Sequence, residues 1–155
     1  MAEVVSALFL LLATAQGSTS EERKPDFSGV WKFNAKESKL EIQAPESTTV
    51  EIVHRDPVFR LTRTHVIQGK SDTFSIELWI GGKETLATLR DSELRCRAFW
   101  EAGELVFVTK IHSPKGEAEN LVRYRLSTSG RQLIATERFR GPGQSYDNLW
   151  VLDKE

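Results

Sequence analysis

The sequence has a single cysteine, Cys96, among its 155 residues and only three histidines. One cysteine excludes an intrachain disulfide and any cysteine-rich metal site. The histidines show no His-x-His or His-x-x-x-His spacing, so the sequence predicts no metal site and no cofactor. A haem bound through His65 is the weaker alternative. Stability must therefore come from the packing of one hydrophobic core.

An excess of charge is also lacking, because 21 basic residues face 22 acidic ones and leave a formal charge of -1. Without a long-range field we predict no nucleic-acid partner. The basic residues expected on outward faces are Arg95, Arg97, Lys110, Arg123, Arg125, Arg138 and Arg140. We interpret them as partners in solvated cross-strand ion pairs, with a patch for an anionic polymer as the alternative.

Long apolar runs are absent except for the stretch from Val4 to Ala13. It is shorter than the roughly 20 residues that a membrane-spanning helix needs, so no stable membrane span is predicted. The small residues Ala13 and Ala15 flank Thr14 in the pattern that signal peptidases cut. We therefore predict a signal peptide over 1–15, a flexible tether over 16–25 and one folded domain over 26–155, in a secreted or periplasmic protein.

One feature of this leader is atypical, because Glu3 stands where a signal peptide usually has a positive residue. The alternative interpretation is a short N-terminal helix that packs on the domain.

From residue 26 onward, short stretches that alternate apolar and polar residues are separated by turn signals about every ten residues. This rhythm predicts an all-β fold, an antiparallel up-and-down meander of about ten strands. Left open, such a sheet would expose two long edges. We therefore expect the strand from Gly29 to pair with the last strand, Ser145 to Leu152, and to close a lipocalin-like β-barrel, with a flattened barrel or a two-sheet clam as the alternative. The best helical candidate is a turn or two from Ala35 to Leu40.

Hairpin registers follow from keeping apolar residues of both strands on one face. The matches predict the pairs His54 with Phe59, Val66 with Thr73, Leu78 with Thr85, Trp100 with Leu105, Leu126 with Leu133, and Phe139 with Tyr146. The register of the strand over 119–127 stays open. In these registers ten large aromatic side chains point inward, namely Trp31, Phe33, Phe59, Phe74, Trp100, Phe107, Tyr124, Phe139, Tyr146 and Trp150.

Three features together resemble a known group of proteins: Phe27-x-Gly29-x-Trp31 at the first strand, the unbroken meander, and the terminal Trp150-Val151-Leu152-Asp153-Lys154. They are similar to the calycins, which comprise lipocalins and fatty-acid-binding proteins, and to short secreted lipocalin-like domains of bacteria. The resemblance implies a barrel that holds a small hydrophobic or amphipathic molecule. It also implies that Trp31 plugs the closed end.

The sequence departs from the fatty-acid-binding proteins at two places. The segment from Ala35 to Pro45 is too short for their helix-turn-helix lid. Their last strand also carries an arginine and a tyrosine spaced by one residue, whereas Tyr146, Asp147 and Asn148 stand there in this chain. The sequence therefore favours the barrel and disfavours a fatty-acid site of that kind.

Polar residues among the inward positions mark the candidate site, because a buried charge must be paired or near water. Arg63 with His65 on one strand, and Glu137 with Asn148 across a hairpin, are the candidates for anchoring the polar end of a ligand. The full set of predicted ligand-binding residues is Arg63, His65, Phe74, Trp100, Phe107, Tyr124, Glu137, Tyr146, Asn148 and Trp150. The alternative is that the polar residues lie solvated at the rim or satisfy one another in a filled core.

These observations predict an exported, non-catalytic barrel that binds a small apolar or amphipathic ligand. The first alternative is a barrel filled by its own side chains that acts as a structural or protein-interaction module of the cell envelope. The second is an enzyme that uses His65, Arg63 and Glu137 as acid, anchor and base. The interior volume separates the first two, because a dry cavity smaller than about 300 Å³ would exclude an ordinary ligand site.

Overall fold

The structure, a computed structural model, describes residues 23–155, and every regular element in that part of the chain is a β-strand. The predicted signal peptide and residues 16–22 of the predicted tether lie outside the described residues. The ten strands are β1 Gly29–Phe33, β2 Ser47–Arg55, β3 Val58–Ile67, β4 Lys70–Trp79, β5 Thr85–Leu89, β6 Ser92–Glu101, β7 Glu104–Ser113, β8 Gly116–Leu126, β9 Gln132–Gly141 and β10 Gln144–Lys154.

All ten strands form one antiparallel sheet with the order β4-β3-β2-β1-β10-β9-β8-β7-β6-β5. The predicted closure is confirmed, because β1 pairs with both β2 and β10, with Trp31 opposite Val50 on one side and Lys154 on the other. Every other neighbour in the order is the next strand in the chain, so the sheet is the predicted meander. The sheet curls into a nearly closed barrel whose one unpaired seam, within the described residues, lies between β4 and β5.

The predicted hairpin at Gly81-Gly82, with Leu78 opposite Thr85, is wrong. The backbone N–H groups of Gly81 and Gly82 both donate to the carbonyl of Ala98 on β6, at 2.9 and 3.0 Å. Ile80 forms a single parallel bridge with the same residue. The residues after β4 thus form hydrogen bonds with β6, and β5 does not pair with β4.

The register of the β3–β4 hairpin also differs from the prediction. Val66 lies opposite Ser71, and Arg63 lies opposite Phe74. The turn has two residues instead of four, since Gln68 and Gly69 both adopt positive φ angles, 51° and 68°, as a tight hairpin turn requires. The shift is by two residues, so each side chain keeps its predicted face.

The remaining predicted registers are confirmed, with His54 opposite Phe59, Trp100 opposite Leu105, Leu126 opposite Leu133, and Phe139 opposite Tyr146. The register that the sequence left open begins at a two-residue turn, where Ser113 lies opposite Gly116.

The segment between β1 and β2 closes the barrel beyond the short first strand. Its predicted helical turn is a single hydrogen-bonded turn, in which Ser38 N donates to Asn34 O at 3.1 Å. The chain then returns to β10, where Lys39 and Leu149 exchange two backbone hydrogen bonds of 2.8 and 2.7 Å. This segment thus extends the β1 edge along β10.

At the end of the barrel where β1 begins, Phe27 and Trp31 are both fully buried. Trp31 Nε1 donates to the carbonyl of Phe27 at 2.9 Å, which ties the residues before β1 to the core. The Phe27 ring packs against His54 and Trp100, with ring centroids 5.8 and 6.1 Å away. Two residues, and not Trp31 alone, fill this end.

We expect Phe27→Ala to destabilise the fold by about 3–5 kcal/mol, because it removes a fully buried aromatic side chain and leaves a cavity. Leu86→Ala is the matched control, since Leu86 is 67% exposed on β5 and should cost less than about 0.5 kcal/mol. Urea denaturation of both variants measures the difference. Equal losses would show that Phe27 does not close this end.

Candidate functional site

The barrel encloses a cavity of about 240 Å³ between the filled end and the opposite mouth. Most of its wall is apolar, formed by inward residues of β2 to β10 such as Phe59, Leu94 and Phe107. Polar side chains interrupt this wall, namely Thr48, Arg63, His65, Thr109, Asn120 and Glu137. The cavity thus combines an apolar body with a few polar groups, as ligand sites usually do.

Arg63 on β3 has a guanidinium group with unused hydrogen-bonding capacity. Within residues 23–155 none of its nitrogens forms a hydrogen bond, and its Nε is buried without a partner. Its one ion pair joins Nη2 to Asp72 Oδ2 at 3.7 Å, which is longer than a hydrogen bond. The side chain is 31% exposed and lies near the Phe74 ring. Arg63 is therefore available to an acceptor that enters the cavity.

His65 lies two residues further along β3 and is held on two sides. Its Nδ1 is hydrogen-bonded to Thr48 Oγ1 at 2.7 Å, and its ring stacks on Trp150 with centroids 5.7 Å apart. Burial, with the positive charge of Arg63 second, lowers the pKa of His65 to about 4. At neutral pH the residue is therefore an uncharged part of the wall.

Glu137 on β9 is half-buried and is the centre of a hydrogen-bond network. Its carboxylate accepts from Asn120 Nδ2 at 3.0 Å, Asn148 Nδ2 at 2.9 Å and Trp150 Nε1 at 2.8 Å. Asn148 in turn accepts from the backbone N–H of Glu41 at 2.9 Å. Three donors stabilise the negative charge inside the barrel. The network also connects the segment before β2 to the cavity wall.

The charges of Arg63 and Glu137 act on the same part of the interior. Burial raises the pKa of Tyr124 on β8, and burial raises that of Tyr146 on β10 to about 12. For both phenols the charge of Glu137 adds to this rise, whereas Arg63 opposes it.

Of the predicted ligand-binding residues, the cavity is lined by Arg63, His65, Phe74, Phe107, Tyr124, Glu137 and Trp150. Three others do not line it. Trp100 packs on Phe27 at the filled end, and its Nε1 donates to Asp56 Oδ2 at 2.8 Å. Tyr146 stacks on Phe139 near the opposite mouth, with centroids 4.9 Å apart. Asn148 is buried behind Glu137.

Sequence reasoning missed Asn120 and Thr48. Asn120 shares the inward parity of Tyr124, four residues later on β8, but the open register of this strand hid it. Its Oδ1 is buried without a partner while its Nδ2 donates to Glu137. Thr48 precedes the buried Val50 by two positions. Because alternate residues of a strand point to the same face, continuing the alternation along each strand would have placed both residues on the inward face.

The proposed acid and base of an enzyme are not arranged for proton transfer in the described residues. His65 is neutral near pH 7 and therefore holds no imidazolium proton to donate. No hydrogen bond joins it to Glu137 within this part of the chain, and both carboxylate oxygens of Glu137 already accept from other donors. Also within residues 23–155, no three His, Cys, Asp or Glu side chains converge as metal ligands.

The seam between β4 and β5 is held differently at its two ends. Near the filled end, backbone hydrogen bonds to Ala98 connect the residues after β4 to β6. At the mouth, Asp72 on β4 pairs with Arg90 of the β5–β6 turn at 3.2 Å, and the same carboxylate faces Arg63. One exposed carboxylate thus joins the edge of the seam to the cavity.

No family model matches the sequence, and a search of curated proteins finds no match. Solved structures do match. A secretory abundant heat soluble protein from Ramazzottius varieornatus is 12% identical with a TM-score of 0.60, covering 83% of this chain and 95% of its own. Human cRBP IV, a cellular retinol-binding protein, is 13% identical with a TM-score of 0.57, covering 84% and 99%.

A zebrafish ileal bile acid-binding protein in complex with cholic acid is 18% identical, with a TM-score of 0.52 over 83% of this chain and 98% of its own. These identities establish a shared architecture alone. The fold is that of a calycin barrel. The resemblance inferred from the Gly-x-Trp motif, the meander and the last strand is thereby confirmed.

The barrel has no helix between β1 and β2 within the described residues, where Ala35 to Glu46 form turns and irregular chain. In the same part of the chain, no helix has the length and apolarity that crossing a membrane requires.

The lowered pKa of His65 predicts a pH dependence of stability. The pKa of His65 is lower in the folded protein than in the unfolded chain. The contribution of His65 to the free energy of unfolding is therefore complete above pH 6.5 and is lost as the pH falls toward about 4. We expect His65→Gln to lose less stability than the natural protein between pH 7 and pH 4.5. Urea denaturation across this range measures the difference. Parallel pH profiles would contradict the assignment.

We expect Asp72→Asn to loosen the mouth end of the seam, because it removes the carboxylate shared by Arg63 and Arg90. Cys96 lines the cavity and is the only cysteine, so its rate of reaction with a thiol reagent reports on access. The rate should rise up to about fivefold, since exposed ion pairs contribute at most about 1 kcal/mol.

The matched control for Asp72→Asn is Glu77→Gln, on the same strand. Glu77 pairs with Arg60 of β3 and does not bridge the seam. A similar acceleration of Cys96 in both variants would show that the effect is general loosening of β4.

Proposed function

We propose that this protein is an exported, non-catalytic barrel that binds a small amphipathic molecule, with the polar head at Arg63 and the apolar part inside. The observation that supports this most is the Arg63 guanidinium, which lines a mainly apolar cavity and makes no hydrogen bond within the described residues. A buried donor without a partner costs free energy, and a ligand acceptor would remove that cost.

The head group that fits Arg63 best is a carboxylate or another strong acceptor. A guanidinium offers a planar fork of donors that matches the two oxygens of a carboxylate. Asp72 lies at 3.7 Å, too far for a hydrogen bond, and it is shared with Arg90. Arg63 and Arg90 thus share the single carboxylate of Asp72, which leaves Arg63 able to pair with an anionic head.

The volume limits the size of the ligand. At about 240 Å³ the cavity is smaller than the 300 Å³ that bounds ordinary ligand sites from below. This counts against a long lipid lying wholly inside, and it favours the alternative of a self-filled structural or interaction module. The polar side chains in the wall favour a small ligand, because a cavity with polar side chains in its wall is not dry.

The export assignment is supported by the leader pattern over 1–15. A similar protein, secretory abundant heat soluble protein 4 of Ramazzottius varieornatus, is named as secretory.

We expect Arg63→Gln to weaken the binding of decanoate about tenfold or more, since a hydrogen bond to a charged group contributes about 1.5–3 kcal/mol. Protection of Cys96 from a thiol reagent measures occupancy of the cavity. Arg125→Gln is the control, because it removes the same charge from the outer face of β8. Equal weakening in both variants would exclude Arg63 as the anchor.

Decanol serves as a matched neutral probe, and its binding should lose less on Arg63→Gln than that of decanoate. Native mass spectrometry of the protein purified from its own organism should show a retained small molecule. Absence of Cys96 protection by either probe, with no molecule retained, would favour the self-filled module.

A further inference from the structure

A groove on the outer wall of the barrel has its own opening and shares one lining residue, Glu137, with the interior cavity. It has a volume of about 580 Å³ and lies between the segment before β2 and strands β8 to β10. Arg123, Thr136 and Leu149 are neighbours across β8, β9 and β10, and Lys39 bridges to Leu149 on the far side. The recess over Thr136 and Leu149 is thus flanked by two long basic side chains.

A third basic residue, Arg138, lies on the next row of the same outer face, between Leu121 of β8 and Asp147 of β10. Asp147 lies opposite Arg138 in register, yet both of its oxygens accept from Arg140 Nη2 at 3.0 Å. Arg138 is therefore left without its cross-strand partner. Within residues 23–155, neither Arg138 nor Lys39 forms an ion pair, and both are exposed.

The third cation of the groove, Arg123, is already in ion pairs. Arg123 pairs with Glu101 and with Glu104, the latter at 3.6 Å. Three cations line the groove together with the carboxylates of Asp147 and Glu137, and of these cations only Arg123 forms an ion pair within residues 23–155. Leu121 and Leu149 are half-buried and provide an apolar floor.

We propose that this outer groove is a second binding site, for a small organic monoanion whose carboxylate lies between Lys39 and Arg138. Its apolar part packs on Leu121 and Leu149. Lys39 and Arg138, which form no ion pair within residues 23–155, supply two positive charges for one carboxylate, and the volume lies within the range of ligand sites. A polymer of negative charges is disfavoured, because Glu119 and Glu41 lie beside the groove on the same face.

The probe for this site is 2-naphthoate, a rigid aromatic carboxylate, titrated into the isotopically labelled protein. We expect the backbone amide signals of Thr136, Arg138 and Leu149 to shift with saturation. Arg138→Gln should weaken this binding about fivefold, the upper effect of an exposed ion pair. Raising the salt concentration should weaken it further, because exposed charges are screened.

Two matched variants make the result decisive. Arg125→Gln removes an exposed arginine from β8 outside the groove and should leave the affinity unchanged. Arg63→Gln alters the interior cavity and should also leave these shifts in place. Shifts confined to interior residues, equal loss in Arg125→Gln, or an absence of saturable shifts would overturn the proposal.

Discussion

The pairing of β1 with β10 is the contact on which the rest of the structure depends. It joins the two ends of a ten-stranded meander, and without it the sheet would have four-strand and six-strand halves with long free edges. The same pairing places Trp31 and Phe27 over one end of the barrel. It also positions the segment that carries Lys39 and Glu41 against β10, so that Asn148 and Glu137 are anchored from outside.

That anchoring explains why a carboxylate is stable in the interior. A buried ionised group is costly unless it is surrounded by donors, and Glu137 has three. Each donor comes from a different position in the sheet, on β8 or β10, so the network exists only when the hairpins are in register. Arg63, on the other side of the barrel, has no comparable set of partners. The interior therefore has one satisfied charge and one that is available.

The sequence was sufficient for the fold wherever local chemistry decides the structure. Alternation and turn residues located the ten strands, and parity placed Arg63, His65 and Glu137 at the cavity wall. It failed at Gly81-Gly82, where a local pattern typical of a hairpin is overruled by hydrogen bonds to Ala98 on β6. No local signal reports that long-range contact. The position of Asn120 could have been predicted from the alternation along β8. The alternation does not predict that Asp147 pairs with Arg140 and not with Arg138, because that pairing depends on side-chain geometry.

An empty cavity of this size would lower the stability of the folded protein. At about 24 cal/mol for each Å³, an empty apolar space of 240 Å³ would cost up to about 6 kcal/mol. Small domains have a total stability of about 5–15 kcal/mol, so a cost of that order is a large share. Ala135 lines the cavity, and a larger side chain there would fill part of it. A barrel that served only as a scaffold would gain stability from such filling, whereas a binding barrel must leave the space beside Arg63 open.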